Sequence, residues 1–415
     1  MNKSKRDIRV LYSFPHRLGA ERICYTAWQQ VNGLANAGSQ VLAMPGSLVR
    51  PVDPAVRVSP TLALGPLRLP YRLLGSRRAF ALHDHIVARR LASLRNQIDI
   101  VHVWPQGALR TTKVARQLGI PVVMERPNAH TRFAYEAVRE ECERIGVVLP
   151  RDHEHAFNED ILKVEEAEFR AADRLLCPSD FVVKTFVDKG FPLSQLARHI
   201  YGYDEKTYHP AQREANDRQG LTMLFVGVCA VRKGVHVALE AWLASGAQHT
   251  GKFLIAGEFL PAYQSKLAGM LAHPSVEVLG HRTDVPELMR RSDLLVLPSI
   301  EEGFGLVCTE AMGSGCVPLV SDACTDLCRH MENSLVHRVR DVASLTEHIR
   351  LVNENRGLLQ SLRERGLELA PDITWNAAGK ILLDVYAETI SRHAAIRAVP
   401  SSSPGETAYP VGEVL

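Results

Sequence analysis

Short apolar segments alternate with longer helical segments along this chain of 415 residues. The first strand, Ile8–Tyr12, is followed by a loop over Pro15–Glu21 and by a helix over about Arg22–Ala37. A second strand then returns at Gln40–Met44. Strands and helices that alternate in this way are typical of parallel sheets covered by helices. The alternation therefore predicts an α/β fold.

The alternation forms two series separated by the polar segment Arg213–Gly220, so we predict two domains. A chain of this length also exceeds what one ordinary core accommodates. The further strands are Asp99–Trp104, Val122–Glu125 and Arg174–Pro178 in the first series, and Leu221–Gly227, Lys252–Gly257, Val276–Gly280, Leu294–Pro298 and Val317–Ser321 in the second. We assign a first domain to 1–205, a linker to 206–220, a second domain to 221–370, a helix that can cross back to the first domain to 371–396, and a loose tail to 397–415.

Ligands of open parallel sheets bind beyond the carboxyl ends of the strands. If the two sheets face each other, the loops after five strands are expected to converge on one cleft. Those loops follow Tyr12, Glu125, Gly227, Gly257 and Pro298.

Composition argues against several classes of function. The formal net charge is +3 and no nucleic-acid module stands out, so a nucleic-acid partner is not expected. The amino terminus lacks the apolar core of a signal peptide, and no apolar run reaches the ~20 residues that cross a bilayer, so we expect a cytoplasmic protein. The eight cysteines form no CxxC. Cys324, Cys328 and His330 could ligate a metal, but scattered thiols more often pack as small apolar groups.

The segment 297–312 is the most informative part of the chain. A strand ends at Pro298, two glycines follow in a loop, and a helix begins near Gly305. Free backbone N–H groups at a helix start donate hydrogen bonds, and glycines let a polyhydroxyl ligand approach closely. Glu302 in the loop and Glu310 on the helix can therefore bind hydroxyl groups at opposite ends of an extended sugar nucleotide. A solvated Glu302 and a locally paired Glu310 are the less favoured alternative, because of the Gly-Phe-Gly turn between them.

This pattern resembles the E-x7-E signature of the family-four retaining glycosyltransferases. The family has the GT-B fold, in which two Rossmann-like domains with parallel sheets face each other across a cleft. The resemblance covers most of the chain, is most specific in the second domain, and implies transfer from a nucleotide-diphosphate sugar to a glycan, lipid or small-molecule acceptor. Further matching segments, in family order, are Ala172-Asp173 with Pro178-Ser179, Tyr201-Gly202 with Asp204 and Pro210, Phe225-Val226-Gly227 with Arg232-Lys233-Gly234, Ile255–Glu258, Leu279-Gly280 and Val317–Ser321.

The resemblance also implies roles for residues of the second domain. Glu310 is similar to the glutamate that binds both ribose hydroxyls of the donor, and Glu302 to the glutamate beside the transferred sugar. Lys233 matches the lysine that holds the diphosphate, where fixed positive charge stabilises a developing anion. The backbone amides that assist the catalytic glutamate correspond here to Gly303, Phe304, Gly305 and Leu306.

One position departs from the family pattern. Members often carry an arginine directly after the glycine that ends the first strand of this domain, and this chain has Val228 there. Arg232, directly before Lys233, is a candidate replacement, since two cations at a helix start suggest an anionic ligand. The alternative is a solvated helix start.

In the first domain, Gly19 resembles the glycine of the loop that approaches the donor phosphates. His130 resembles the histidine beside the reacting sugar, although it lies further from its strand than in many members. Because a lone histidine in a loop often faces solvent, Arg126 is a second candidate for the same pocket.

The family is thought to attack on the same face of the sugar, with retention, while the leaving diphosphate accepts the proton of the acceptor. That mechanism requires no metal and no cofactor besides the nucleotide sugar as co-substrate. The sequence shows no metal-binding Asp-x-Asp.

Three alternatives stay open. One is a sugar-nucleotide epimerase or phosphorylase on the same fold. Another is a nicotinamide-dependent oxidoreductase, although no GxGxxG follows the first strand. The third is a non-catalytic carbohydrate-binding or nucleotide-binding protein, which Val228 keeps under consideration.

The segment 50–97 is rich in arginine, with Asp53 and Asp84 as its only acidic residues. One interpretation is a solvated helical face. The other is a basic surface, which either makes peripheral contact with anionic lipid at the inner membrane face or holds an anionic acceptor. The arginines are Arg50, Arg57, Arg68, Arg72, Arg77, Arg78, Arg89, Arg90 and Arg95, and the apolar residues among them include Leu67, Leu69, Tyr71, Leu73, Leu74 and Phe80.

Overall fold

The computed structural model describes residues 8–64, 67–68, 75–211 and 220–398. Several predictions fall wholly or mostly outside these residues: the charged amino terminus 1–7, the polar linker Arg213–Gly220, the tail after 398, and Leu69, Tyr71, Arg72, Leu73 and Leu74 of the basic segment. Elsewhere, strands and helices alternate as predicted.

The first sheet is parallel throughout. Its strands are β1 Arg9–Leu18, β2 Gln40–Leu48, β3 Arg57–Val58, β6 Ile100–Val103, β7 Val122–Glu125, β8 Arg174–Cys177 and β9 Leu196–Arg198. Within the described residues the order is β3-β2-β1-β6-β7-β8-β9, and a separate antiparallel pair consists of β4 Ala63–Leu64 and β5 Leu67–Arg68. The helices of this part are α1 Ile23–Asn36, α2 Ser76–Ser93, α3 Leu109–Leu118, α4 Thr131–Ile145, α5 Glu159–Ala171 and α6 Asp180–Val187.

The second sheet is also parallel. Its strands are β10 Thr222–Val226, β11 Lys252–Ala256, β12 Val276–Gly280, β13 Leu294–Leu297, β14 Val317–Ser321 and β15 Leu335–His337. Their order, for the part of the chain that is described, is β12-β11-β10-β13-β14-β15. The helices are α7 Val235–Ala244, α8 Pro261–Leu271, α9 Val285–Arg291, α10 Leu306–Gly313, α11 Val342–Glu354, α12 Arg356–Leu369 and α13 Trp375–Ala398. The predicted α/β fold with two parallel sheets is thereby confirmed.

Strand β1 is longer than the sequence predicts, because most of the expected loop Pro15–Glu21 is strand. Pairing with β2 continues to Leu18, with a register shift after Phe14. The side chains of Phe14 and Leu18 are fully buried, so the apolar core extends along β1 to Leu18. The correction matters for the site, since it places His16 on the strand and not in a free loop.

The final helix contributes to the core of the first domain. Leu382 and Tyr386 of α13 pack with Val10 and Tyr12 of β1 in one buried cluster. Burial of apolar surface of this kind stabilises the fold by about 25 cal/mol per Å². The helix that follows the second domain in sequence therefore packs against the first sheet in space.

Candidate active site

The segment after β13 forms a glycine turn that leads into α10. Gly305 is the N-cap of this helix, and its φ of 78° lies in the left-handed region that favours glycine. Glu302 stays in the turn, while Glu310 lies one turn inside the helix. The first turn of any α-helix leaves backbone N–H groups without intrahelical partners, so the turn can donate to a ligand.

Glu302 is buried and surrounded by positive charge. Its Oε2 pairs with Nζ of Lys233, and its Oε1 lies 3.8 Å from Nη1 of Arg232. The backbone N–H of Gly303 and the hydroxyl of Ser299 also donate to this carboxylate. Burial by itself raises the pKa of Glu302, but the charges of Lys233 and Arg232 outweigh burial and hold the pKa below its usual value.

Glu301, for which the sequence predicted no role, is the second carboxylate of this cluster and is fully buried. Its Oε2 lies 3.2 Å from Nη1 of Arg232 and 3.4 Å from Nε2 of His155, and the N–H of Ala129 donates to its Oε1 at 3.4 Å. Burial raises the pKa of Glu301, but the hydrogen bond from His155 and the charge of Arg232 lower it to about 2. The signal for Glu301 in the sequence was its position beside Glu302.

Glu310 is partly exposed on α10 and shares a hydrogen bond with Tyr208, which lies between the two sheets in sequence. Burial raises the pKa of Glu310 to about 7, and the hydrogen bond from Tyr208 opposes this rise only in part. Near neutral pH both protonation states are therefore populated, and both offer an acceptor oxygen to a ligand hydroxyl.

The first domain holds the glycine turn in place. The buried ring of Phe304 packs edge-on against Tyr201, with ring centroids 5.4 Å apart. The hydroxyl of Ser179 donates to the carbonyl of Gly303 at 2.7 Å. Gly303 also packs so closely on the first domain that a Cβ would lie 1.7 Å from the carbonyl oxygen of Pro127. The turn is therefore held by contacts from both domains.

The positive charge predicted beside the turn is present, but it is already paired with carboxylates. The side chains of Arg232 and Lys233 are each 15% exposed and pair with Glu301 and Glu302. Val228 is 43% exposed and supplies no charge at its position. A diphosphate would therefore compete with two carboxylates for two cations.

His130 is buried and caps helix α4. Its Nδ1 accepts a hydrogen bond from the N–H of Arg132 at 3.2 Å. The ring packs at steep angles against Phe169, Phe186 and Phe191. Burial lowers the pKa of His130 to about 3, so the imidazole is neutral. These contacts give His130 a capping and packing role, and its role beside the reacting sugar stays a prediction.

Gly19 directly follows β1 with a φ of 84°, and a Cβ there would lie 2.8 Å from Cβ of Arg50. Local geometry alone therefore requires glycine at this position. The predicted approach of Gly19 to the donor phosphates is a separate matter and stays a prediction.

A small cavity of about 250 Å³ lies among the loops of the first domain, beside Glu301. Arg126, the second candidate for the pocket beside the reacting sugar, is part of its wall. His16 and His155 also line the cavity, and neither was predicted from the sequence as a site residue. No motif marks these histidines, because His16 lies on β1 and His155 lies in the connection between α4 and α5.

Among the described residues, no helix is both long enough and apolar enough to cross a membrane. The same residues contain no group of three or more histidine, cysteine, aspartate or glutamate side chains that could hold a metal ion.

The two parallel α/β domains have the GT-B class of fold, which solved glycosyltransferase structures share. Sucrose-phosphate synthase from Thermosynechococcus elongatus aligns over 93% of this chain and 100% of its own, with a TM-score of 0.65 and 18% identity. The glycosyltransferase WaaG, which takes part in lipopolysaccharide biosynthesis, aligns over 91% of this chain and 99% of its own, with a TM-score of 0.60 and 17% identity. Identities this low show the fold alone.

Residues 220–355 match the family of glycosyl transferases group 1. The match lies in the second domain and confirms the resemblance found in the sequence. It is 33% identical to glycogen synthase of Mycobacterium tuberculosis over 174 residues, which cover 40% of this chain and 42% of that protein. It is 32% identical to the lipopolysaccharide glucosyltransferase WaaG of Escherichia coli over 116 residues, 27% of this chain and 31% of that protein. The aligned region thus spans less than half the length of these relatives.

Proposed function

We propose that this chain is a retaining glycosyltransferase that moves a sugar from a nucleoside-diphosphate sugar to a hydroxyl group of an acceptor. The observation that carries the proposal is the cluster of Arg232 and Lys233 with Glu301 and Glu302 beside the glycine turn. A leaving diphosphate gains negative charge as the glycosidic bond breaks, and preorganised cations stabilise that charge. Glu310, on the helix that follows, supports the proposal because it can bind the donor ribose.

The ion pairs suggest how the donor is accommodated. Before the donor binds, two cations and two carboxylates balance each other. Diphosphate oxygens draw Arg232 and Lys233 away from the carboxylates, which leaves Glu302 free to accept hydrogen bonds from hydroxyl groups of the transferred sugar. In the reaction, the bond between the anomeric carbon and the phosphate oxygen breaks, and its electron pair stays on the diphosphate. The acceptor oxygen bonds to the same face of the anomeric carbon, and its proton passes to the leaving phosphate oxygen.

UDP-glucose is the first donor to test, and a hexose is the proposed transferred group. Anabaena HepE, solved with UDP and with UDP-glucose, has a TM-score of 0.58 to this chain at 15% identity and aligns over 94% of it. WaaG of Escherichia coli is named a glucosyltransferase. We propose that transfer requires no divalent metal, because Arg232 and Lys233 supply the positive charge beside the diphosphate.

The experiment measures nucleotide release and sugar transfer with UDP-glucose and other nucleoside-diphosphate sugars, with anomeric configuration determined by NMR. Wild-type protein should turn over at least one donor, and Glu302→Gln should lower that turnover by about two orders of magnitude. Glu277→Gln, on the exposed edge strand β12, is the matched control and should leave turnover unchanged. Turnover of no donor would favour the non-catalytic alternative, and a product of inverted configuration would reject retention.

We also propose that the basic segment 50–97 makes peripheral contact with a surface of anionic lipid. The support is helix α2, on which Arg77, Arg78, Arg89 and Arg90 are all exposed. Arg77 pairs with Asp160, so part of this charge is already compensated. Cosedimentation with phosphatidylglycerol vesicles, compared with phosphatidylcholine vesicles, tests the contact. Equal binding to both would contradict it.

A further inference from the structure

The cavity in the first domain has walls from several turns at the carboxyl end of one sheet. Trp104 and Gln106 follow β6, Arg126 and Asn128 follow β7, and His155 belongs to the connection between α4 and α5. With a volume of about 250 Å³, the cavity is slightly smaller than most pockets for drug-sized ligands, which start near ~300 Å³. It therefore suits a single sugar ring better than a larger group.

Arg126 is held in this wall without a close polar partner. Its guanidinium is only 3% exposed and stacks 4.2 Å above the ring of Phe169. Its polar contacts are long: 3.3 Å to the carbonyl oxygen of Ala129, 3.5 Å to Oγ1 of Thr131 and 3.6 Å to Glu165. Nε of Arg126 has no hydrogen-bond partner among the described residues. A buried donor is normally satisfied, so this nitrogen is available to a ligand oxygen.

The charges around the cavity favour an uncharged ligand. Arg126 is the single fixed cation among the described residues of the wall. It faces the buried carboxylate of Glu165, and Glu154 adds a second carboxylate at the rim. Burial keeps the pKa of His16 near 4, so this imidazole adds no charge at neutral pH. A phosphate or carboxylate would therefore meet no surplus of positive charge. A hydroxyl group, which both donates and accepts, suits a wall that mixes donors and acceptors.

The backbone of the wall is also unusual. Gln106 has a φ of 68°, a conformation that residues with side chains rarely adopt. Its N–H donates to Glu168 at 2.6 Å and its side-chain amide donates to Glu165 at 2.8 Å. Strained backbone held by buried hydrogen bonds occurs preferentially at binding and catalytic sites.

The cavity adjoins the carboxylate cluster of the donor side. His155 lines the cavity and contacts Glu301 with its Nε2, at 3.4 Å. Glu301 in turn neighbours Glu302 in the chain and shares Arg232 with it. A ring in the cavity would therefore lie next to the transferred sugar.

We propose that this cavity binds the uncharged terminal pyranose ring of a glycan acceptor, and that Nε of Arg126 donates a hydrogen bond to one of its oxygens. This inference rests on the proposed function, whose acceptor it specifies. It excludes acceptors that present a phosphate or carboxylate at the reacting ring.

Two measurements test the proposal. Saturation-transfer NMR in the presence of UDP detects binding of methyl glycosides of glucose, galactose, mannose and N-acetylglucosamine, without any need for turnover. Nucleotide release from the donor is then measured with each methyl glycoside, with methyl glucuronide and with glucose 6-phosphate. At least one neutral glycoside should bind and raise nucleotide release about tenfold above donor hydrolysis, whereas the two anionic sugars should not.

Variants assign the binding to the cavity. Arg126→Gln should raise KM for the active glycoside about tenfold, and far more than KM for the donor, because one donated hydrogen bond is lost. Ala134→Phe fills the cavity from helix α4 and should abolish glycoside binding. This second variant tests the proposal if Arg126→Gln fails to fold. Thermal melting shows whether each variant is folded. Glu143→Gln, on the exposed face of the same helix, is the matched control.

The outcomes separate the two proposals. Absence of turnover with every donor rejects the proposed function, while the NMR measurement still reports whether the cavity binds a neutral ring. Binding or acceleration by the anionic sugars alone overturns the inference. The inference is also overturned if no neutral glycoside of the panel binds. It is overturned as well if Arg126→Gln changes KM for the donor and KM for the glycoside equally.

Discussion

Replacing Gly303 by alanine tests whether the first domain positions the glycine turn of the donor site. A Cβ at this residue would lie 1.7 Å from the carbonyl oxygen of Pro127, 2.6 Å from its carbonyl carbon and 3.0 Å from Cα of Asn128. All three are backbone atoms, so no flexible side chain can move aside. Because non-bonded heavy atoms settle ~3.5 Å apart, the two loops must separate by roughly 1.5–2 Å.

The separation has two costs. It breaks the hydrogen bond from Ser179 to the carbonyl of Gly303, and it displaces the backbone amides of the turn. Overpacking costs about 1–3 kcal/mol and the lost hydrogen bond about 1 kcal/mol, so the free energy of unfolding should fall by roughly 2–4 kcal/mol. A misplacement of ~1 Å can lower a rate about 100-fold, so kcat/KM for the donor should fall by about that factor.

Initial rates of nucleotide release and urea denaturation measure the two effects of Gly303→Ala. Gly269→Ala, inside helix α8, is the matched control, because a Cβ there would meet no atom within 4 Å. It should keep full activity and gain about 0.5–1 kcal/mol of stability from helix propensity. Ser179→Ala removes the hydrogen bond without any overlap and should have a smaller effect than Gly303→Ala. Wild-type kcat/KM together with wild-type stability in Gly303→Ala would show that the two loops do not touch in the working protein.

Four further predictions follow from the same site and its core. Lys233→Ala should lower kcat by two to three decades and change KM less, because a cation beside a developing anion is worth ~3–4 kcal/mol. Initial rates compared with the control Lys252→Ala measure the fall in kcat, and an unchanged kcat rejects the role of Lys233. Glu310→Ala should weaken binding of the nucleoside diphosphate by about 1–3 kcal/mol in calorimetry, and an unchanged Kd would contradict ribose binding. Transfer should survive EDTA, whereas loss that manganese or magnesium restores would overturn the metal-free mechanism. Burial raises the pKa of Glu125, but His199 beside it lowers the pKa to about 2. This carboxylate therefore stabilises the fold fully above about pH 5, and its contribution disappears as the pH falls towards 2. Acid unfolding of Glu125→Gln should be less steep in that window, and identical unfolding curves would refute the assignment.

The sequence predicted the sheets well because the strands of a covered parallel sheet are continuous apolar runs. Val122–Glu125, Val276–Gly280 and Val317–Ser321 have the same bounds in the structure as in the sequence prediction. The prediction failed at Pro15–Glu21, where a proline, a glycine and charges indicate a loop. Pairing with β2 kept most of that segment in the sheet.

The candidate site was harder to predict than the fold, because its contacts join distant parts of the chain. The N–H of Ala129 donates to Glu301, 172 residues further along, and no local pattern contains that information. The pairing of Lys233 with Glu302 likewise depends on how β10 and β13 lie side by side. The buried surroundings of His130 come from three phenylalanines on other elements, so a lone loop histidine gave no sign of them.

The donor side and the acceptor side of the cleft share one segment, which follows β7. Pro127 contacts Gly303 of the donor turn, Ala129 donates to Glu301, and both residues also line the cavity of the first domain. A rotation of one domain away from the other would therefore separate Gly303 from Pro127 and Glu301 from Ala129 in the same movement. Arg232 adds to this coupling, since it pairs with Glu301, which in turn contacts His155 in the cavity wall. Under the proposed function, a diphosphate that draws Arg232 away would leave Glu301 with the N–H of Ala129 and with His155, so binding of the donor would change the electrostatic surroundings of the acceptor ring before any bond is broken.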